Sequence, residues 1–439
     1  VQKAHRLYEI RCPVHGFITI TDWEREIINL PAFQRLRRIR QLAWTDQVYP
    51  GAMHTRFEHS LGVLHVASRL FDAIATKSRD LLINEHSYKD AGLERDRTLV
   101  RLAALLHDVG HAPFSHAAEE LFPLEVPAES IGDSGDSTER ECRRFRHEDY
   151  SAAIIRQSLR DAIEDHPLNQ NHGLKADDVA NLLEGNVRAG RALLWKEVIA
   201  GQLDADRMDY LIRDSLHAGV DYGKFDWRRL VNSVLLVPGG EDRAFRLGVE
   251  EGGFHAAEGL VLARYFMFTQ VYFHKTRVAY NIHLRQALAE LLPGGVFSRP
   301  TQDELEDYLK WDDWRVLGML REGGGGDHGR RLCDRDHYRE IYHSPEFPAP
   351  EDRTSLDQVR TRLGSLLQAE ETSETSAYKL GKSDIPVKGE NPSVEIKPLS
   401  EYSSVVRALR PLAVSRLYCR KEDVEAARDQ LAGLEGSKS

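Results

Sequence analysis

Residues 99–116 read LVRLAALLHDVGHAPFSH, and this stretch decides the fold. Leu99, Leu102, Ala103 and Leu106 recur at the i, i+3, i+4, i+7 spacing of a buried helix face. The helix so predicted delivers the pair His107-Asp108 at its C-terminal end. His111 follows one turn later if the helix continues.

Two further strings supply matching residues. His59 lies in HTRFEHSLG (54–62) and Asp206 in LDADRMDYLIRD (203–214), both in helical patterns. His59, His107, Asp108 and Asp206 together make a compact mixed N/O site for one divalent transition metal: Fe, Mn, Zn or Ni. An all-oxygen site would suit Mg or Ca better. An ion so held acidifies its water and neutralises charge on a phosphoryl oxygen. A lone His-Asp dipeptide carries no such information, and unrelated core or surface residues are the alternative. The weight rests on the combination, drawn from three separate helices.

The composition sets bounds. The chain has 439 residues, 41% of them apolar and 29% charged, which is globular rather than disordered. Acidic residues outnumber basic ones, 69 to 59. That disfavours a broad nucleic-acid-coating surface but leaves room for a local basic pocket. Cys12, Cys142, Cys333 and Cys419 are far apart and form neither a zinc motif nor a secreted disulfide framework. No apolar run is long enough to span a membrane, and VQKAHRLYEI lacks a signal-peptide core. The expectation is a cytoplasmic protein with no membrane contact.

The expected fold class is mostly α: a helical core with small hairpins and a C-terminal α+β appendage. YEIRCPVHGFITIT suits a hairpin, with Asp22 capping the next helix. AFQRLRRIRQLAW reads as a basic amphipathic helix. Helices are expected at about 56–75, 147–160, 176–183, 188–216 and 256–292. VNSVLLVPGGEDRAFRLGVE reads as a hairpin with a PGGED turn, and GGGGDHG (323–329) as a flexible break. The expected units are a core over 1–292 with an insertion at about 122–146, a helical and loop extension over 293–377, and an α+β subdomain over 378–439.

Cations and a sugar-sized site cluster near the metal residues. Arg56 lies one helical turn before His59, Arg207 adjoins Asp206, and Arg264 lies two turns before Tyr272. Arginine offers bidentate bonding to phosphate oxygens, although solvated surface arginines are the default. Asp206, Tyr210 and Asp214 fall at i, i+4 and i+8, one stripe of a helix. Asp214 could accept from a 3′-hydroxyl. Tyr210 could crowd the 2′ side and exclude ribose, unless it is simply a core aromatic. His111 and His147 are the candidate proton donors.

RFEHSLGV, HDVGHAPFSH, RHED and DADRMDYLIRD together resemble the HD-domain deoxynucleoside triphosphate triphosphohydrolases. FQRLRRIRQL, VYPGAMHTRFEHS and VYFHK extend the likeness over roughly residues 8 to 290. The chain looks like a bacterial relative of the vertebrate SAM-and-HD-domain enzyme, without the SAM domain. The resemblance implies hydrolysis of deoxynucleoside triphosphates to deoxynucleoside and triphosphate, at the metal site named above, with Mg accompanying the triphosphate. It places the catalytic His-Glu pair on His147-Glu148 and a phosphate-side histidine on His111. Glu148 would then orient the His147 imidazole and raise its pKa. It places Arg56, Arg207 and Arg264 on phosphates, and Gln41, Leu42, His116, Tyr210, Asp214 and Tyr272 around the nucleoside. It also implies a homo-oligomer, dimer or tetramer. Asn29 stands where the family's activator site carries Asp, while Arg37 keeps the Arg. Asn pairs differently with guanine, which puts a GTP-type activator in doubt.

Two other classes compete. One is another HD phosphohydrolase acting on single-stranded nucleic acid, ribonucleotides or alarmones. The other is a nucleotide-binding regulator without turnover, which the intact metal and proton-donor residues argue against.

Overall fold

The computed structural model describes residues 6–125, 143–239, 245–391 and 396–435. The PGGED turn, Cys142 and most of the expected insertion fall outside them. Strands β1 (Leu7–Cys12) and β2 (Gly16–Thr21) pair as an antiparallel hairpin. Helix α1 (Asp22–Ile28) follows. Its cap is Thr21, not Asp22: the Thr21 hydroxyl accepts the Glu24 N–H, and the Glu24 carboxylate accepts the Thr21 N–H at 2.8 Å.

Residues 32–44 do not form the expected basic helix. One turn at Pro31–Gln34 and a tighter turn at Arg35–Arg38 give way to extended chain at Ile39. Two arginines of this stretch face protein rather than a solvated helix face. Arg35 is buried and donates to the Trp311 carbonyl at 2.8 Å, while Arg38 donates to Asp312 at 2.5 Å.

The site is built on helices α2 (Arg56–Lys77), α3 (Asp90–Leu106), α4 (His147–Gln157), α5 (Ala176–Glu184) and α6 (Ala205–Ala218). Helix α2 is the central one and is buried over most of its length; α3 and α6 both pack on it. Close approach needs glycine at two places. A Cβ at Gly62 would fall 1.9 Å from Asp209 Oδ1 of α6. One at Gly110 would fall 2.2 Å from the Ser151 nitrogen of α4. The expected helix over 188–216 is broken: a kinked tight-turn segment (Val187–Trp195) and one short turn (Lys196–Ile199) precede α6. Asp204 ends that break and caps α6, accepting the Arg207 N–H at 2.7 Å.

Strands β3 (Val234–Pro238) and β4 (Phe245–Glu250) are antiparallel. The expected long helix over 256–292 is two helices, α7 (Phe254–Met267) and α8 (Lys275–Leu291). A π-helical turn at Phe268–Tyr272 and an extended His274 separate them. After a short helical turn at Leu305–Leu309 come helices α9 (Asp313–Arg321) and α10 (Gly326–Asp334), so the last part of the glycine-rich string at 323–329 is helical.

The C-terminal third divides differently from the expectation. Strands β5 (Arg339–His343), β6 (Ala369–Thr375) and β9 (Leu412–Cys419) form one sheet in the order β5-β9-β6. Helices α11 (Pro350–Leu363) and α12 (Val424–Glu435) belong with it, through a small core of Leu356, Val359, Leu363, Leu417, Cys419 and Ala427. Strands β7 (Pro386–Lys388) and β8 (Lys397–Pro398) instead extend the β3-β4 sheet, with Ile385, Val387 and Leu399 in the main core. A boundary at 378 therefore cuts through both sheets. The pairing that decides this is long-range and leaves no local mark in the sequence. Among the described residues, no helix is long and apolar enough to cross a membrane.

Candidate metal centre

His59 lies one turn into α2, buried on every side. Its Nδ1–H donates to Asp209 Oδ2 at 2.8 Å, so that in the neutral imidazole Nε2 is the nitrogen left to bind a cation. His107, just past α3, does the same through a backbone oxygen: Nδ1–H donates to the Ala104 carbonyl at 2.8 Å. Both Nε2 atoms point at Asp206 Oδ1, at 3.0 Å and 3.7 Å. Neither makes a hydrogen bond of good geometry among the described residues, although both are buried. Converging donor atoms without hydrogen bonds between them suit a cation at the centre. His59, His107 and Asp206 are thus disposed to hold a divalent metal.

Asp108 stands beside them. Its Oδ2 lies 3.5 Å from His59 Nε2, and its Oδ1 lies 3.2 Å from His107 Nε2. Burial pulls both Asp108 and Asp206 toward the neutral form. Arg56, His107 and His111 outweigh this at Asp108, and His107 and His59 outweigh it at Asp206. Both carboxylates are held well below the usual range.

The second half of the site lies across Asp108. His111 Nε2 is 3.3 Å from Asp108 Oδ1, and its ring stacks on His147 with centroids 3.8 Å apart. Burial, Arg56 and His147 all push the His111 imidazole well below its usual pKa. His147 goes the other way. Burial alone would lower it, but Glu119 outweighs burial, with Glu148 and Asp108 adding, and the imidazole rises to about 9. Its Nδ1–H donates to Glu119 Oε1 at 2.7 Å.

Glu119 is therefore the nearer orienting carboxylate. Glu148, expected in that role, is 3.4 Å away with a half-exposed side chain. His116 also turns to Glu119, at 3.0 Å, and stands by His111 and His147. The four residues His111, His116, Glu119 and His147 form a second converging group.

The expected phosphate and sugar residues are placed as follows. Arg56 is buried against the metal side, donating from Nε to Ser115 Oγ at 2.8 Å and from Nη1 to Asp108. Arg207 and Arg264 both act electrostatically on Tyr210, whose hydroxyl burial pushes up to about 12. Arg264 Nε is buried without a hydrogen-bond partner among the described residues, and its guanidinium lies 5.3 Å from the Phe268 ring centroid. Tyr210 and Tyr272 meet edge to face at 6.3 Å. Asp214 accepts from Tyr272 Oη and from His54 Nε2, both at 2.7 Å. Leu42 and Gln41 are buried; the Gln41 N–H donates to the His54 carbonyl, and its Oε1 has no partner among the described residues.

Asp209 is the main residue that sequence reasoning missed. It is fully buried and accepts from His59, from His15 Nε2 at 2.6 Å, and twice from Arg213 at 2.8 Å. The i, i+4 spacing of Asp209 and Arg213 was visible in the string. Nothing local tied His15 or His59 to it. Away from the site, Asn29 ends α1, and Arg37 lies 3.5 Å from the Phe57 ring centroid.

Comparison with known proteins gives the family. Residues 56–214 match the HD domain and residues 225–369 match the HD associated region. An uncharacterized Bacillus subtilis protein, YwfO, is 30% identical over 90% of this chain and 88% of its own length. A hypothetical protein from Aquifex aeolicus, of known structure, superposes with a TM-score of 0.76 at 28% identity, over 97% of this chain and all of its own. A Dictyostelium discoideum protein named deoxynucleoside triphosphate triphosphohydrolase SAMHD1 homolog is 30% identical over 63% of this chain, which spans 48% of that longer protein. The chain belongs to the HD-domain phosphohydrolase superfamily, with an HD domain joined to an HD-associated region.

Proposed function

We propose that the protein hydrolyses deoxynucleoside triphosphates, releasing the deoxynucleoside and inorganic triphosphate. The observation that carries this reading is the stripe of α6. Asp206 stands at the cation site, Tyr210 feels the charges of Arg264 and Arg207, and Asp214 is a buried carboxylate one turn further on. A metal site and a hydroxyl acceptor two turns apart on one helix face, with arginines beside them, suit a deoxyribose whose α-phosphate meets the metal and whose outer phosphates meet the arginines.

A divalent cation held by His59, His107, Asp108 and Asp206 would place charge on a phosphoryl oxygen and acidify water. The protein's own residues would do the rest. Arg207 and Arg264 would neutralise the outer phosphates. His147, protonated at neutral pH because Glu119 lifts its pKa, would donate from Nε2 to the departing sugar oxygen. Asp214 keeps lone pairs beyond those used by His54 and Tyr272, and would accept the 3′-hydroxyl. Tyr210 would crowd the 2′ position. The Dictyostelium relative, named as a deoxynucleoside triphosphate triphosphohydrolase homolog, supports the same substrate class. The net charge of -10 favours a small ligand over a nucleic-acid polymer.

The metal-loaded protein should be incubated with each dNTP, each NTP and a short single strand, and the products resolved by ion-exchange chromatography. Nucleoside with triphosphate, from the dNTPs, is the expected result. Nucleoside monophosphates from the strand alone would overturn the reading in favour of a nuclease.

A further inference from the structure

The loop after His107-Asp108 carries an uncommon backbone. Phe114 and Ser115 are both left-handed, at φ 57° and 59°. Residues with a side chain hold that conformation where their surroundings impose it. The imposing groups come from far along the chain. Asp313, buried at the start of α9, accepts the Phe114 N–H through Oδ1 at 2.8 Å and the Arg40 N–H through Oδ2 at 2.9 Å. Tyr308 donates its hydroxyl to the Gly110 carbonyl at 2.6 Å. The two contacts bracket His111.

The left-handed turn has a consequence at the metal side. It presents the Ser115 hydroxyl, which donates to the Arg40 carbonyl at 2.7 Å and accepts from Arg56 Nε. Arg56 in turn pairs with Asp108. Two amide N–H groups from two separate loops therefore meet the two oxygens of one carboxylate. An apolar side chain at 313 would leave both buried amides unpaired.

We propose that Asp313 and Tyr308 are positioning residues: the HD-associated region clamps the HD loop at Phe114 and Gly110, and so fixes His111 and Arg56 against Asp108. The catalytic part of this inference rests on the phosphohydrolase reading of the site; the clamp itself does not. It implies that residues 56–214 alone would hold the ligands without holding the surrounding loop.

The test uses the full chain with Asp313→Asn, Asp313→Ala and Tyr308→Phe. Asn keeps one acceptor oxygen and turns a donor toward the other amide. Three quantities are read: amide hydrogen exchange over residues 109–116, Co²⁺ stoichiometry and visible spectrum, and kcat against KM on whichever substrate the wild-type protein hydrolyses. Exchange should rise about tenfold or more with local opening. Co²⁺ should bind at wild-type stoichiometry, because Asp313 and Tyr308 touch none of the ligands. The kcat should fall by about 10- to 100-fold with KM nearly unchanged.

Unchanged exchange in folded Asp313→Asn and Tyr308→Phe would overturn the clamp. Faster exchange with unchanged kcat would overturn its positioning role. Should Asp313→Ala fail to fold, the other two variants decide. Should the wild-type protein hydrolyse no nucleotide, the proposed substrate falls, and the exchange measurement still judges the clamp.

Discussion

His59 and His107 lie on one side of Asp108, His111 and His147 on the other, and the two pairs are prepared for opposite tasks. On the first side each Nδ1 is committed, to Asp209 and to the Ala104 carbonyl, so both Nε2 atoms are left to converge on Asp206. That side suits a cation. On the second side His147 holds Glu119 at 2.7 Å, while burial, Arg56 and His147 push the stacked His111 toward neutrality despite Asp108 at 3.3 Å. That side suits one stored proton. The same side chain is turned into ligand or acid by what its other nitrogen touches.

Four variants test this contrast, in falling order of effect. Asp206→Ala should remove bound metal and turnover together, as read by elemental analysis of the purified protein and product assay. His147→Ala should keep the metal and lose about 10²- to 10⁴-fold in kcat, the range of a general acid. Loss of metal in His147→Ala would erase the distinction between the two sides. Asp209→Asn should weaken metal affinity by about 10- to 100-fold, measured by chelator competition, because His59 loses its orienting acceptor.

Glu119→Gln should have the smallest effect and the clearest pH signature. His147 acts as an acid below its pKa of about 9, so wild-type kcat should fall as pH rises through that value. Removing the carboxylate lowers the His147 pKa and should move the alkaline limb to lower pH. An alkaline limb that stays in place would show that Glu119 does not set it.

The sequence was legible where function is carried by residue type at short range. His59, His107 and Asp206 could be named from three strings, and the stripe of Asp206, Tyr210 and Asp214 followed from helical spacing. It misled where a charged residue faces protein. The arginines at 35 and 38 looked like a solvated helix face, yet they reach Trp311 and Asp312, and the chain there is two short turns rather than a helix. Glu148 looked like the partner of His147 because it is its neighbour, but Glu119 is closer in space.

The chain's own order of residues thus determined the helical class, the ligand types and the superfamily, since each depends on local periodicity and on short strings. Tertiary structure alone decided which nitrogen of each histidine is free, which carboxylate serves His147, and how Asp313 reaches the loop at Phe114. Those contacts join residues far apart in the chain. They follow from how buried polar groups find partners once the helices are packed, which no local pattern encodes.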